Sequence, residues 1–197
     1  MEVQHNFTSP FAFFKNTDLI PDLKTYIYSQ NVEEVESNCA LRLKNNLKES
    51  KFDFFYTDEK IVKDTMRFIS QSLGKFLNNL HDESCYYNIR FNESWFHIGS
   101  KYSVHETHLH DSCSWCGIYF VQAGDKGSGD TVFLNPAVRT YRDFGTRSLD
   151  AFNQKRVQPE DGLLVLFPSF LNHHQSIYKG DKDRIVVAFN ISVISPA

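Results

Sequence analysis

The sequence has no long apolar run. None of its segments approaches the roughly 20 consecutive apolar residues that a membrane-spanning helix requires. Its start shows no basic segment followed by an apolar one, so we expect no secretory signal peptide. It has only four cysteines, Cys39, Cys85, Cys113 and Cys116. Without a secretory signal, we interpret them as reduced thiols of a cytoplasmic protein.

Neither positive nor negative charge is in large excess, because the formal net charge is only −3. Such a balance gives no reason to expect a nucleic-acid partner or binding to an acidic membrane surface. Aromatic residues are plentiful, at 15% of the chain with 18 Phe and 9 Tyr. A chain of 197 residues with this composition can bury a substantial core, and we predict a single domain over 1–197.

Two helices are predicted in an N-terminal part that extends to about residue 83. The first is PDLKTYIYSQN, which opens at Pro21. The second runs from about Asp58 to Leu80. Its apolar stripe has helical spacing and consists of Ile61, Thr65, Phe68, Ile69, Leu73, Phe76 and Leu80.

Short runs of Tyr, Phe, Val and Ile alternate with turn residues from about 84 to 194, and they predict eight strands. The runs are YYNIRF, SWFHIG, KYSVHETHLH, CGIYFVQ, DTVFLN, GLLVLFP, HHQSIY and RIVVAFNISV. We predict an α+β protein with a double-stranded β-helix (jelly-roll) core and the N-terminal helices packed on one face.

One segment, from Ala137 to Lys155, resists assignment and is long for a loop. It could be a lid that recruits an anionic substrate, or simply a solvated basic loop. The basic residues of this region are Arg139, Arg142, Arg147, Lys155 and Arg156, against the acidic Asp143 and Asp150.

The histidines are concentrated, since six of the eight lie between His97 and His174. In a strand, His108 and His110 would share one face with backbone positions roughly 6.6 Å apart, close enough to converge on one metal. Asp111 would then point away. Two surface histidines on an edge strand are the alternative interpretation of this pair alone.

A second segment strengthens the metal hypothesis. The buried strand LLVLF ends at Pro168, and His173 follows shortly after. His173 can therefore supply a third ligand at the rim of the barrel. Three protein ligands leave coordination positions open, as a catalytic metal site requires. We expect metal affinity to fall as histidines protonate near their usual pKa of about 6.5.

Arg184 opens an apolar strand, and its charge needs a partner there. A carboxylate of a substrate or cosubstrate would serve. Asp181 or Asp183 on the neighbouring turn would also serve, and spacing alone slightly favours such an aspartate as the partner.

These motifs together resemble the Fe(II)/2-oxoglutarate-dependent oxygenase superfamily, most closely its small, largely uncharacterised bacterial and phage branch. The matching stretches are HLHD, CGIYF, FPSFLNH and RIVVAFN, in that order between about Trp95 and Ile191. The resemblance implies an enzyme that uses Fe(II), 2-oxoglutarate and O2 to hydroxylate a C–H bond of a small molecule or peptide.

The resemblance also implies roles for particular residues. His108, His110 and His173 match the iron ligands, and no catalytic residue beyond them is implied. Arg184 follows His173 by 184 − 173 = 11 positions, a spacing typical of the arginine that binds the distal carboxylate of 2-oxoglutarate. Tyr102 lies near a position that often hydrogen-bonds this cosubstrate. Most of the superfamily has aspartate where this sequence has His110.

Three other interpretations of the sequence remain open. A cupin-type dioxygenase with three histidines would not use 2-oxoglutarate. A zinc site could combine His108 and His110 with Cys113 and Cys116. The chain could also be a jelly-roll binding module without catalytic activity.

Overall fold

The computed structural model describes residues 9–36, 44–81, 86–136 and 154–196. In chain order its elements are β1 (Ala12–Lys15), α1 (Ile20–Tyr28), β2 (Glu33–Glu36), β3 (Lys44–Glu49), α2 (Lys60–His81), β4 (Tyr87–Gly99), β5 (His105–His108), β6 (Trp115–Gln122), β7 (Thr131–Leu134), β8 (Gln154–Val157), β9 (Leu163–Pro168), β10 (His173–Gln175) and β11 (Arg184–Pro196).

The strands form two sheets. The larger has seven strands in the order β1-β9-β6-β11-β4-β3-β2, and the smaller has four in the order β5-β10-β7-β8. All pairings between these strands are antiparallel. Strand β9 is buried along almost its whole length, which explains why it reads as a continuous apolar run.

Side chains of the central strand β6 alternate between two core clusters, as the period of a strand requires. Tyr119 and Val121 pack in one cluster with the buried residues of α1 and α2, among them Leu23 and Leu73. Cys116 and Phe120 belong to a second cluster with Phe133, Val157, Val165, Phe167, Leu171 and Val186. The second cluster borders the candidate site.

Several sequence predictions need correction. The N-terminal part contains strands β1, β2 and β3 as well as the two helices. Strand β3 reads KNNLKE, which has little β propensity, and it is extended because β2 and β4 pair with it on either side. YYNIRF and SWFHIG, predicted as separate strands, join in β4. The segment from 137 to 153 lies outside the described residues, whereas Lys155 and Arg156 belong to β8.

No helix among the described ranges is long and apolar enough to cross a membrane.

Candidate metal centre

Three of the predicted ligands come together at one end of the smaller sheet. His108 ends β5 and His173 begins β10, and the two are directly opposite each other across the strand pair. His110 lies two residues beyond β5, and its backbone N–H donates to Ser169 O at 3.2 Å. One nitrogen from each imidazole lies within 4.8 Å of the other two.

The convergence of His108 and His110 has a different origin from the one predicted. We expected strand alternation to place both on one face, but β5 ends at His108. The turn that follows, anchored at Ser169, brings His110 back toward His108, so that their ring centroids lie 5.1 Å apart. Asp111 is exposed and lies outside the histidine cluster.

Backbone carbonyls orient two of the imidazoles. His108 Nδ1 lies 2.7 Å from Glu106 O, and His173 Nδ1 lies 2.9 Å from Leu171 O. Because a carbonyl only accepts hydrogen bonds, each Nδ1 carries the proton. Nε2 of each ring therefore keeps a free lone pair, which is the form that binds a metal.

Burial keeps these histidines neutral. Desolvation, reinforced by the charge of neighbouring histidines, lowers the pKa of His173 to about 3 and that of His110 to about 4. Desolvation also lowers the pKa of His108. Competition between protons and a metal in the folded protein should therefore begin well below pH 6.5, which corrects the range expected from the sequence.

A wall of aromatic side chains closes one side of this cluster. The rings of Phe133 and Phe167 pack on His173, with centroids 5.7 and 4.9 Å from that of the imidazole. Trp95 lies beside His110 at 5.8 Å. These contacts restrict water and hold the imidazoles in place.

Arg184 lines the same cavity as the three histidines. Its side chain faces inward with Val186 and Ala188, which occupy alternate positions on β11. Only 3% of Arg184 is exposed, and burial lowers its pKa to about 10. It therefore remains a cation near neutral pH.

The neighbours of Arg184 orient its guanidinium, and none of the described residues forms a salt bridge with it, although the charge of Asp130 acts to raise its pKa. Nη1 donates to Gln175 Oε1 at 2.7 Å, and Gln175 Nε2 donates to Ser103 O at 3.1 Å. Its carbon Cζ lies 5.2 Å from the ring centroid of Phe120. Nε of Arg184 is buried and has no hydrogen-bond partner within the described part of the chain.

The two aspartates considered as partners of Arg184 are engaged elsewhere. Asp181 pairs with Lys101 at 2.7 Å, and Asp183 accepts from the hydroxyl of Tyr28 at 2.9 Å. The cavity therefore presents a buried cation whose free N–H could bind an added carboxylate.

Tyr102 does not reach this cavity. It has a positive φ of 68° in the turn after β4, and 60% of its surface is exposed. Its side chain is not among those that line the cavity. His174 lines the cavity but is not part of the three-histidine cluster.

Sequence reasoning missed several residues of the cavity wall. They include His97, His105, Trp95, Thr131 and Gln175. The density of histidines was the one signal available in the sequence. In the structure, the rings of His105 and His108 lie against each other at a tilt of 45°, with centroids 4.3 Å apart. His97 is hydrogen-bonded to Glu49, which lies directly opposite it on the paired strand β3. The two residues are far apart in the sequence, so no local pattern indicates this contact.

The arrangement of the cysteines does not support the hypothesis of a zinc site built from two histidines and two cysteines. Within the described ranges, the cluster able to hold a metal contains three histidines and neither Cys113 nor Cys116. The two thiols contact each other instead, with their Sγ atoms 3.5 Å apart.

Residues 93–190 match the family described as "Putative 2OG-Fe(II) oxygenase". The chain belongs to the 2OG-Fe(II) oxygenase superfamily. It is thus an oxidoreductase, of a family that uses Fe(II) and 2-oxoglutarate, as the sequence motifs predicted. The match covers about half of the chain and includes all three clustered histidines and Arg184.

Solved structures of this oxygenase superfamily share the fold. A 2OG-Fe(II) oxygenase family oxidoreductase from Burkholderia pseudomallei aligns with a TM-score of 0.65 at 10% identity, covering 95% of this chain and 87% of that one. HygX from Streptomyces hygroscopicus, solved with nickel and 2-oxoglutarate, gives 0.60 at 11%, covering 94% and 84%.

A viral collagen prolyl hydroxylase from Paramecium Bursaria Chlorella virus-1 gives a TM-score of 0.59 at 13% identity, covering 93% and 96%. At such identities the likeness concerns the fold, and it confirms the predicted jelly-roll core. No protein of curated function matches the chain.

Proposed function

We propose that this chain is an Fe(II)- and 2-oxoglutarate-dependent dioxygenase that hydroxylates a C–H bond of a small molecule or peptide. His108, His110 and His173 would hold the iron, and Arg184 would bind the distal carboxylate of 2-oxoglutarate. The observation that carries the proposal is a buried, unneutralised arginine in the same cavity as three convergent, neutral imidazoles.

The donor set fits Fe(II). Imidazole nitrogen is a good ligand for this ion, and three ligands on one side leave positions open for a cosubstrate and O2. The proton on Nδ1 of His108 and His173 leaves Nε2 ready to coordinate. His110 replaces the carboxylate of the usual facial triad, so the protein ligands here carry no negative charge.

The charge of Arg184 suits a dicarboxylate cosubstrate. Arg184 lines the same cavity as the three histidines and would offer its charge and a free N–H to the carboxylate that is not at the metal. Gln175 holds the guanidinium in place but, being neutral, does not compete for its charge. When bound together, Fe(II) and 2-oxoglutarate supply the activation of O2 that C–H hydroxylation needs.

Two alternatives lose support. A cupin-type dioxygenase that does not use 2-oxoglutarate has no need of a buried arginine without a carboxylate partner, and the family match is to the 2OG-Fe(II) oxygenases. A binding module without catalytic activity does not explain why three imidazoles converge, two of them with the Nε2 lone pair kept free by a carbonyl hydrogen bond to Nδ1.

Succinate release tests the proposal. The protein with Fe(II), O2 and 2-oxoglutarate should form succinate slowly alone and faster with a true substrate, which a panel of amino acids and peptides would begin to identify. The His108→Ala variant, which lacks one proposed iron ligand, is the control. Succinate formation by wild type no faster than by this variant, with every member of the panel, would contradict the proposal.

A further inference from the structure

The pair Cys113 and Cys116 has no role in the proposed chemistry, although it adjoins the metal centre. Cys116 is buried on β6 and lines the histidine cavity, whereas Cys113 is half-buried in the loop before the strand. Because β6 begins at Trp115, strand alternation does not force the two side chains apart. Their Sγ atoms lie 3.5 Å apart.

We propose that Cys113 and Cys116 form a reversible disulfide when the protein meets a peroxide. A disulfide requires an S–S distance of about 2.05 Å. The sulfurs must therefore approach by about 1.5 Å. The backbone here is held in place, since Cys113 O accepts from Ser169 Oγ at 2.7 Å and Ser114 N–H donates to Ile191 O at 2.9 Å. The approach must therefore come mainly from rotation of the half-buried Cys113 side chain.

The two thiols are suited to different steps. The contact with Cys116 lowers the pKa of Cys113, and the same contact together with burial raises that of Cys116. The more exposed Cys113 is thus the better nucleophile toward hydrogen peroxide. Its thiolate attacks the O–O bond, which breaks to give a sulfenic acid and, with one proton, a water molecule.

The buried partner completes the reaction. The sulfur of Cys116 displaces the sulfenic oxygen of Cys113, forming the S–S bond and releasing a second water. Overall the two thiols lose two electrons and two protons, and hydrogen peroxide is reduced to two waters. A dithiol reductant reverses the change.

One experiment tests the bond, on metal-free protein. After treatment with hydrogen peroxide, wild type should lose the mass of two hydrogens, and peptide mapping should join Cys113 to Cys116. Dithiothreitol should reverse the change, and Cys113→Ser should not form this link. Thiols that stay reduced, stop at sulfinic acid, or pair with Cys39 or Cys85 would overturn the proposal.

Discussion

Replacing Gln175 with glutamate should test how the cavity keeps Arg184 available. The substitution changes almost no volume, but it places a carboxylate where Gln175 Oε1 now lies, 2.7 Å from Nη1 of Arg184. The guanidinium would then have an internal counter-charge. A bound 2-oxoglutarate would lose part of its charge-assisted contact and would meet a second carboxylate in the same buried space.

The size of the effect follows from that contact. A hydrogen bond to a charged group is worth about 1.5–3 kcal/mol, and about 1.4 kcal/mol corresponds to one decade in affinity. We therefore expect Gln175→Glu to weaken 2-oxoglutarate binding by about ten- to a hundredfold. Ni(II) binding should be retained, because Gln175 is outside the three-histidine cluster.

Calorimetric titration of 2-oxoglutarate into the Ni(II)-loaded protein measures this directly, because nickel prevents turnover. Gln158→Glu is the matched control: it makes the same change of net charge at an exposed position between β8 and β9. A dissociation constant for Gln175→Glu within twofold of both wild type and the control would refute the role of Arg184.

Three further results are expected. His173→Ala should abolish Ni(II) binding and His174→Ala should retain it, as followed by calorimetry; the reverse pattern would mean that the third ligand is misassigned. Asp111→Asn should leave the metal content of purified protein unchanged, because the carboxylate is exposed and outside the cluster; loss of metal would show that it coordinates. Metal-free protein should lose stability as pH falls below about 6.5. His173 binds a proton there in the unfolded chain but stays neutral in the folded protein, where burial lowers its pKa to about 3. His173 should contribute about 2 kcal/mol of this loss between pH 7 and pH 5, so urea unfolding of His173→Ala should show a decrease smaller by that amount; an equal decrease would contradict the assignment.

The strongest strands and the long helix were predictable because local pattern and burial agree in them. β6, β9 and β11 are apolar runs in the middle of the larger sheet, and α2 has an apolar stripe along 22 residues. β3 was missed because its polar sequence becomes extended only through its neighbours. β5 was predicted too long because the turn that contains Tyr102 interrupts the segment before it.

The candidate site was partly accessible from sequence. Motif order selected His108, His110 and His173, and the structure brings these three together. Gln175 was not selected, because its importance lies in a hydrogen bond to Arg184 across two strands. Tyr102 was selected by position in a motif, but a side chain in an exposed turn does not follow the direction of the strand beside it.

The central claim is that iron and 2-oxoglutarate bind together in the cavity of His173 and Arg184. Anaerobic protein loaded with Fe(II) should develop a weak visible absorption band when 2-oxoglutarate is added, because the keto acid chelates the metal. Arg184→Leu should retain the iron but need at least about tenfold more 2-oxoglutarate to reach the same band. Wild-type protein that binds iron and gives no band would contradict the account.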